Sequence, residues 1–362
     1  MFSAADHEWM AHALQLAGKG MYGTSPNPRV GCVIVREGKA VGEGWHERAG
    51  TPHAEIHALR AAGALAQDAT AYVTLEPCGH HGRTPPCADA LIDAKVARVV
   101  VAMQDPNPLV AGQGLARLLA AGIQVESGLL EAQAQELNIG FVSRMTRQRP
   151  WVRLKSASSL DGRTALNNGV SFWITGDAAR RDVHQLRARS CAILTGIGTV
   201  LADDPRMDVR DVETSRQPVR IVLDSALRTP PTARILSGGK TLIVGATADS
   251  EKISRLEGAG AEVLILPDAA GRVDLPHLLR ELAEREMNEV MVEAGGSLNG
   301  ALLSAGLIDE WVMYAAPVLL GDKARSLFVL PEMTEMSQRY EVTIRDVGMV
   351  GRDIRIRALV SS

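Results

Sequence analysis

The stretches Thr51-Pro-His-Ala-Glu55 and Glu76-Pro-Cys-Gly-His-His-Gly-Arg-Thr-Pro-Pro-Cys87 decide how the first part of this chain is read. His53, Cys78 and Cys87 supply three corners of a tetrahedral zinc site and leave one for water. Residues two apart on a helix point in different directions, so Glu55 would reach beside such a metal rather than onto it. A carboxylate placed there suits proton transfer to and from water activated by the metal. A structural zinc would close all four corners, and His57, His80 and His81 are near enough in sequence to offer the fourth ligand. His53 and His57 are four apart, but the usual metalloprotease pattern needs Glu at position 54, where this chain has Ala54.

Around these stretches helical and strand patterns alternate. Met10, Ala13, Leu14 and Ala17 form one stripe of a helix over 7–17, ended by Gly18 and Gly20. Strands are expected at Val30–Val35, Ala40–Trp45, Ala71–Leu75, Arg98–Ala102 and Ile123–Glu126. Helices are expected at His53–Ala62, Ala88–Ala94, Gly114–Ala121 and Glu131–Met145, the first with Thr51 as N-cap and Pro52 at its first position. Cys87 opens a helix, where the dipole favours a thiolate. The polar, basic run Arg144-Met-Thr-Arg-Gln-Arg-Pro150 reads as a linker, so the domains are taken as 1–147 and 148–362.

Alternation restarts after Trp151. Strands are expected at Trp151–Ala157, Cys191–Thr195, Val219–Leu223, Thr241–Gly245, Glu262–Leu266 and Glu289–Glu293, with closing strands at Trp311–Ala315, Val342–Val347 and Ile354–Leu359. Helices fall at Asp177–Arg189, with Asp177 as N-cap, and at Leu275–Glu286 and Ser297–Ala305. This pattern gives two unlike α/β domains. Glu293-Ala-Gly-Gly-Ser-Leu-Asn-Gly300 sets small residues between a strand and a helix, where backbone N–H groups cradle phosphate; a tight turn explains the glycines equally well.

Composition excludes several classes. Lys plus Arg number 39 against 42 Asp plus Glu, a net charge of -3, which argues against a nucleic-acid partner. No apolar run approaches the ~20 residues of a membrane span, and the N-terminus lacks a secretory pattern. Four cysteines do not make a disulfide framework: two are in the metal pattern, and Cys32 and Cys191 read as small buried residues. The expected location is a reducing cytoplasm.

His-x-Glu followed by Pro-Cys and a second Cys is the pattern of zinc nucleobase deaminases. In nucleoside and nucleic-acid deaminases two residues usually separate the cysteines; here there are eight, Gly79 to Pro86. That longer segment, with Pro26-Asn-Pro28, Thr74-Leu-Glu-Pro-Cys78 and Gln104-Asp-Pro-Asn-Pro108, resembles the bifunctional riboflavin-biosynthesis deaminase–reductase family nearly end to end. One departure is Gly79, where relatives often carry serine.

The resemblance implies an N-terminal cytidine-deaminase-like three-layer α/β/α domain and a C-terminal dihydrofolate-reductase-like α/β domain. It implies one zinc in the first and NADPH in the second, and we expect a homo-oligomer, a dimer or tetramer. The implied substrate is a 2,5-diamino-6-ribosylaminopyrimidinone 5′-phosphate, deaminated by hydrolysis and then reduced from ribosyl to ribityl. By the same likeness Asn27, His46, His80, Arg83, Thr84, Asp105 and Asn107 contact the deaminase substrate. Ala157, Trp173, Thr199, Asp203, Ser225 and the run Gly295, Gly296, Ser297, Leu298, Asn299, Gly300 and Ala301 hold the dinucleotide. Ser171, Arg187, Met207, Arg210 and Glu293 hold the phosphorylated substrate, with Lys155 near the sugar carbonyl. An arginine fork suits phosphate, since it makes two charge-assisted bonds at once.

Two other readings remain at this point. One is a tRNA- or nucleotide-directed deaminase with a substrate-binding second domain, which the mild acidity and the eight-residue gap oppose. The other is a zinc-stabilised module joined to a dinucleotide-sensing domain.

Overall fold

A computed structural model describes residues 1–79, 86–171 and 173–361. The chain divides into two compact units, Met1–Gln148 and Arg149–Ser362. Each has its own apolar core.

In the first unit the order is α1 (Ala4–Lys19), β1 (Gly31–Arg36), β2 (Lys39–Trp45), α2 (Ala54–Ala62), β3 (Thr70–Val73), α3 (Cys87–Asp93), β4 (Arg98–Val101), α4 (Gln113–Ala120), β5 (Gln124–Ser127), α5 (Glu131–Leu137) and α6 (Ile139–Arg147). The sheet runs β2-β1-β3-β4-β5, with β1 antiparallel to both neighbours and β3, β4 and β5 parallel. Alternation puts Gly31 on one face, where a Cβ would meet the Ala13 carbonyl of α1. Gly42 and Gly44 are on the other, where a Cβ would meet the Ala58 and Ala54 carbonyls of α2. Helices therefore pack on both faces, in three layers.

In the second unit the order is β6 (Trp151–Ser159), β7 (Arg163–Ala165), α7 (Asp177–Arg189), β8 (Ala192–Gly196), α8 (Ile197–Asp203), β9 (Val219–Leu223), β10 (Thr241–Gly245), α9 (Ser250–Gly258), β11 (Ala261–Ile265), α10 (Leu275–Glu284), β12 (Glu289–Val292), α11 (Gly296–Ser304), β13 (Glu310–Ala316), β14 (Arg325–Ser326), β15 (Val342–Val350) and β16 (Asp353–Val360). The main sheet runs β11-β10-β9-β8-β12-β6-β13-β16-β15; β6 and β8 to β13 are parallel, and β15 and β16 close it antiparallel. Val290 and Val292 join the cluster under α10 and α11, whereas Met291 joins the one under α7. Buried on both faces, β8, β10 and β12 carry the short apolar runs Ala192–Leu194, Leu242–Val244 and Val290–Val292.

Several expectations are corrected. Helix α2 starts at Ala54 with His53 as N-cap, because the Thr51 hydroxyl is spent within its own turn on Arg48. The single helix over 131–145 is two, broken at Asn138, whose side chain accepts from Arg29 N at 2.7 Å and donates to Arg29 O at 2.9 Å. Arg144 and Arg147 belong to the last turn of α6, so the irregular connection is only Gln148 to Pro150. Asp177 is the first helical residue of α7, not its cap; Gly176 caps, and its N–H donates to Asp353 at 2.7 Å. Helices α8 and α9 lie in segments to which no element is assigned from the sequence. Cys32 is fully buried, while Cys191 is half-buried just before β8 and its sulfur accepts the Asn288 N–H at 3.3 Å.

Candidate functional site

Antiparallel and parallel pairings bring the ends of four strands of the first unit to one sheet edge. Asn27 precedes β1, His46 follows β2, Cys78 follows β3 and Asp105 follows β4. With His53 at the start of α2 and Cys87 at the start of α3, the residues expected to do chemistry gather there. The described residues hold one cluster able to take a metal, formed by His53, Cys78 and Cys87, whose donor atoms all lie within 4.8 Å of one another. His53 Nδ1 is 3.2 Å from Cys87 Sγ and 3.8 Å from Cys78 Sγ. Ligands of a tetrahedral zinc, at bond lengths of about 2.0–2.3 Å, are spaced by about 3.5–3.8 Å. The three residues fit that ion.

The electrostatics also suit a cation. The hydrogen bond from the Cys87 thiol pulls the Cys78 pKa down to about 4, helped by His53 and by the Cys87 N–H at 3.2 Å. That N–H belongs to the first turn of α3, so the helix start serves Cys78, while the Cys87 thiol is pushed well up by its bond to Cys78 and by burial and keeps the proton of the pair. His53 is raised, first by its bond to Cys78. Glu55 is 3% exposed, and burial pushes its carboxyl up to about 7, against the pull of His53. Its Oε2 is buried with no protein partner. A buried carboxyl oxygen left over beside three metal-binding atoms is equipped to exchange a proton with something held between them.

His46 is 2% exposed and stands edge-on to His53, with ring centroids 5.5 Å apart. Its Nδ1 donates to the Pro52 carbonyl at 3.2 Å and its Nε2 accepts from Asn27 Nδ2 at 3.1 Å. Both ring nitrogens are thus engaged with the imidazole neutral, and burial lowers its pKa. Asp105 and Asn107 lie in the loop after β4, where the Asn107 N–H donates to Asp105 at 2.8 Å. His80, Arg83 and Thr84 lie outside the described residues.

Glu76 was not singled out from the sequence, and it organises this edge. Its carboxylate accepts the N–H groups of Asp105 and Gly112 on one oxygen, at 3.1 and 2.9 Å, and of Gly114 and Leu115 on the other, at 2.9 and 3.4 Å. It thereby caps α4 from a distant strand end and fixes the backbone two residues before Cys78. The fit is close: a Cβ on Gly114 would come within 1.8 Å of the Pro77 carbonyl, and one on Gly79 within 2.9 Å of Gly114 N. The signal available was a charge between an apolar strand and Pro77.

In the second unit Ala157, Thr199, Ser225, Glu293 and Gly295 are all near carboxyl ends of parallel strands or in what directly follows them, the usual ligand edge of an open α/β sheet. Arg187 grips Glu293 with Nε and Nη2 at 2.6 and 3.0 Å, and Lys155 Nζ is 3.8 Å from the same carboxylate. Burial would raise the Glu293 pKa, but Arg187 and Lys155 outweigh it and bring it down to about 2. Arg187 also donates to the Asp208 carbonyl at 2.9 Å and lies 4.0 Å from Met207 Sδ. Lys155, Arg187, Met207 and Glu293 therefore form one group. Arg210 is tied to Asp208 at 3.2 Å, and no contact among the described residues links its guanidinium to Glu293.

Trp173 is exposed with the Arg180 guanidinium 4.5 Å from its ring centroid; Ser171, in the same loop, is half-buried. Asp203 is exposed and Leu298 half-buried. The glycine run has packing reasons of its own. A Cβ on Gly296 or Gly300 would strike the Ser326 or Val329 carbonyl, at 2.6 and 1.9 Å, and buried Asn299 donates to Leu327 O at 3.1 Å. Nothing crowds Gly295, the N-cap of α11, and Ser297 and Ala301 are exposed.

Residues 3–103 match the family model for the cytidine and deoxycytidylate deaminase zinc-binding region, and residues 150–354 match that for the RibD C-terminal domain. Fold and site thus define a two-domain enzyme, a cytidine-deaminase-like zinc-binding domain followed by a dihydrofolate-reductase-like reductase domain. The chain is 51% identical to the riboflavin biosynthesis protein RibD of Escherichia coli K12, covering 96% of this chain and 98% of that one. It superimposes on Acinetobacter baumannii RibD, form 1, with a TM-score of 0.92 at 47% identity, covering 99% of each chain. A Thermotoga maritima structure described as a diaminohydroxyphosphoribosylaminopyrimidine deaminase/5-amino-6-(5-phosphoribosylamino)uracil reductase gives 0.87 at 31% identity over 99% of each chain. The chain belongs to the RibD family of bifunctional riboflavin-biosynthesis deaminase–reductases. No helix among the described residues is long and apolar enough to cross a membrane.

Proposed function

We propose that this chain removes the 2-amino group of a 2,5-diamino-6-ribosylaminopyrimidinone 5′-phosphate by hydrolysis and then reduces the ribosyl group to ribityl. The observation that carries the first step is the buried Glu55 carboxyl, with its unpartnered Oε2 beside the three-residue donor set. His53, Cys78 and Cys87 hold one zinc, which supplies the Lewis acidity that makes water a nucleophile near neutral pH. Glu55 takes a proton from the attacking water, passes it to the ring nitrogen, and delivers one to the leaving amine. The C–O bond forms, the C–N bond breaks and ammonia departs. Asn27 and His46 hold the pyrimidine, Asn27 being oriented by its bond to the imidazole. Asp105 and Asn107, with His80, Arg83 and Thr84, complete the contacts to base and phosphate.

In the reductase half Ala157, Trp173, Thr199, Asp203, Ser225 and the stretch from Gly295 to Ala301 bind NADPH, which supplies the hydride. Ser171, Arg187, Met207, Arg210 and Glu293 hold the ribosylaminopyrimidine phosphate, and the Lys155 ammonium faces the sugar carbonyl oxygen. The chain works as a homo-oligomer: β15 is an edge strand exposing Val342, Ile344, Val347 and Met349. None of the four cysteines is in a disulfide, which suits the cytoplasm.

The test is a coupled assay with the diaminopyrimidine phosphate, following ammonia and NADPH absorbance together. One ammonia released per NADPH oxidised is expected. Ammonia released from tRNA or a free nucleoside, with none from this substrate, would overturn the reading.

A further inference from the structure

Helix α7 presents His184 and Arg187 three residues apart, and hence on one face. Both act on the backbone of the segment that follows α8. His184 Nδ1 accepts the Arg210 N–H at 3.1 Å, and Arg187 donates to the Asp208 carbonyl at 2.9 Å. Gln217 adds a third anchor, bonding both backbone groups of Val209 at 2.8 and 3.1 Å. The segment needs holding. Met207 and Asp211 are left-handed without being glycine, with φ of 50° and 47°, which costs about 1 kcal/mol or more each. Three arginine and aspartate side chains, Arg206, Asp208 and Arg210, cluster on it at 3.0 and 3.2 Å.

We propose that His184 is a positioning residue of the reductase half: its neutral imidazole, by accepting the Arg210 N–H, sets the 207–211 segment so that the Arg210 guanidinium meets the substrate phosphate. This rests on the reading above that Arg210 is among the residues holding the phosphorylated substrate, where an arginine fork suits the phosphate. An imidazole nitrogen accepts a hydrogen bond only when it carries no proton, so the bond requires the Nε2–H tautomer. The charged groups around the ring are Arg187 on its own helix, Arg210 and Asp211 on the segment, and Glu293 after β12. Burial, then Arg187 and Arg210, lowers the His184 pKa, while Asp211 and Glu293 oppose them. Asp211 is 4.0 Å from Nε2, too far for a hydrogen bond. His184 is therefore neutral at neutral pH. As pH falls through its pKa, Nδ1 gains a proton, the Arg210 anchor is lost, and a cation faces Arg187 and Arg210.

The experiment uses the full-length protein with NADPH and the deaminated phosphoribosylamino substrate, alongside the same compound lacking its phosphate. KM and kcat are measured against pH for wild type, His184→Ala, His184→Asn and Arg210→Ala. His184→Ala is expected to raise KM for the phosphorylated substrate by roughly five- to tenfold, the weight of one hydrogen bond and the order it imposes. Its kcat and its KM for NADPH should stay near wild type, and the unphosphorylated compound should not distinguish the two proteins. His184→Asn, whose Oδ1 occupies the place of Nδ1 but does not titrate, should restore KM and abolish its acid-side rise. Three outcomes overturn the proposal: an unchanged KM in His184→Ala while Arg210→Ala raises it; parallel losses in kcat and both KM values; or an acid-side rise that persists in His184→Asn. An unchanged KM in Arg210→Ala would instead remove the phosphate reading itself, and this inference with it. Should His184→Ala fail to fold, the pH profile of His184→Asn decides alone.

Discussion

Glu76 shows how much of the deaminase edge rests on a single side chain. Replacing it with alanine strips four backbone N–H groups of their acceptor and leaves the start of α4 uncapped. The expected loss is at least about 2 kcal/mol of stability, read by urea unfolding. Zinc should also be lost to a chelator sooner, since Cys78 is two residues away. At this scale the sequence was legible where chemistry is local: His53, Glu55, Cys78 and Cys87 fall in short motifs, and they meet as expected. Glu76 and His184 escaped because their partners, residues 105–115 and Arg210, are far along the chain and are backbone groups that no side-chain pattern reveals.

Elements raise a different question, which the glycines around α11 can settle. Gly300→Ala puts a methyl 1.9 Å from the Val329 carbonyl, so backbone must move, at a cost of roughly 1–3 kcal/mol. Gly295→Ala meets nothing within 4 Å and keeps an ordinary extended backbone, so its stability should stay within about 0.5 kcal/mol of wild type. If the turn before α11 also cradles the dinucleotide, Gly295→Ala raises KM for NADPH all the same; an unchanged KM would leave the run a packing device only. The strands were legible because a doubly covered sheet favours short apolar runs, such as Ile221–Leu223 and Leu242–Val244. Helix ends were less so. Asn138 splits α5 from α6 through a bond to Arg29 over a hundred residues away, and α9 buries one residue, Leu256, too little for a stripe.

For the molecule as a whole, separate cores mean separate stabilities. We expect residues 148–362, expressed alone, to fold cooperatively and oxidise NADPH when given the deaminated substrate; an unfolded or inactive fragment would count against that boundary. In the first unit Asp6 is nearly buried, and its bond to Arg98 at 2.7 Å holds its carboxyl well below the usual carboxylate range. A depressed carboxylate stabilises above its unfolded pKa of about 3.9, and that contribution is lost as pH falls toward the folded value. Arg98→Ala should therefore cost roughly 3 kcal/mol at neutral pH, with the gap to wild type narrowing in acid unfolding curves. The account turns on Glu55 moving protons at a site whose metal it does not hold. The most direct measurement is ammonia release together with zinc content in Glu55→Gln. The account predicts a fall in deamination of at least about a hundredfold, near one zinc per chain, and wild-type NADPH oxidation from the deaminated substrate. Ammonia release near the wild-type rate, or loss of zinc in step with activity, would contradict it.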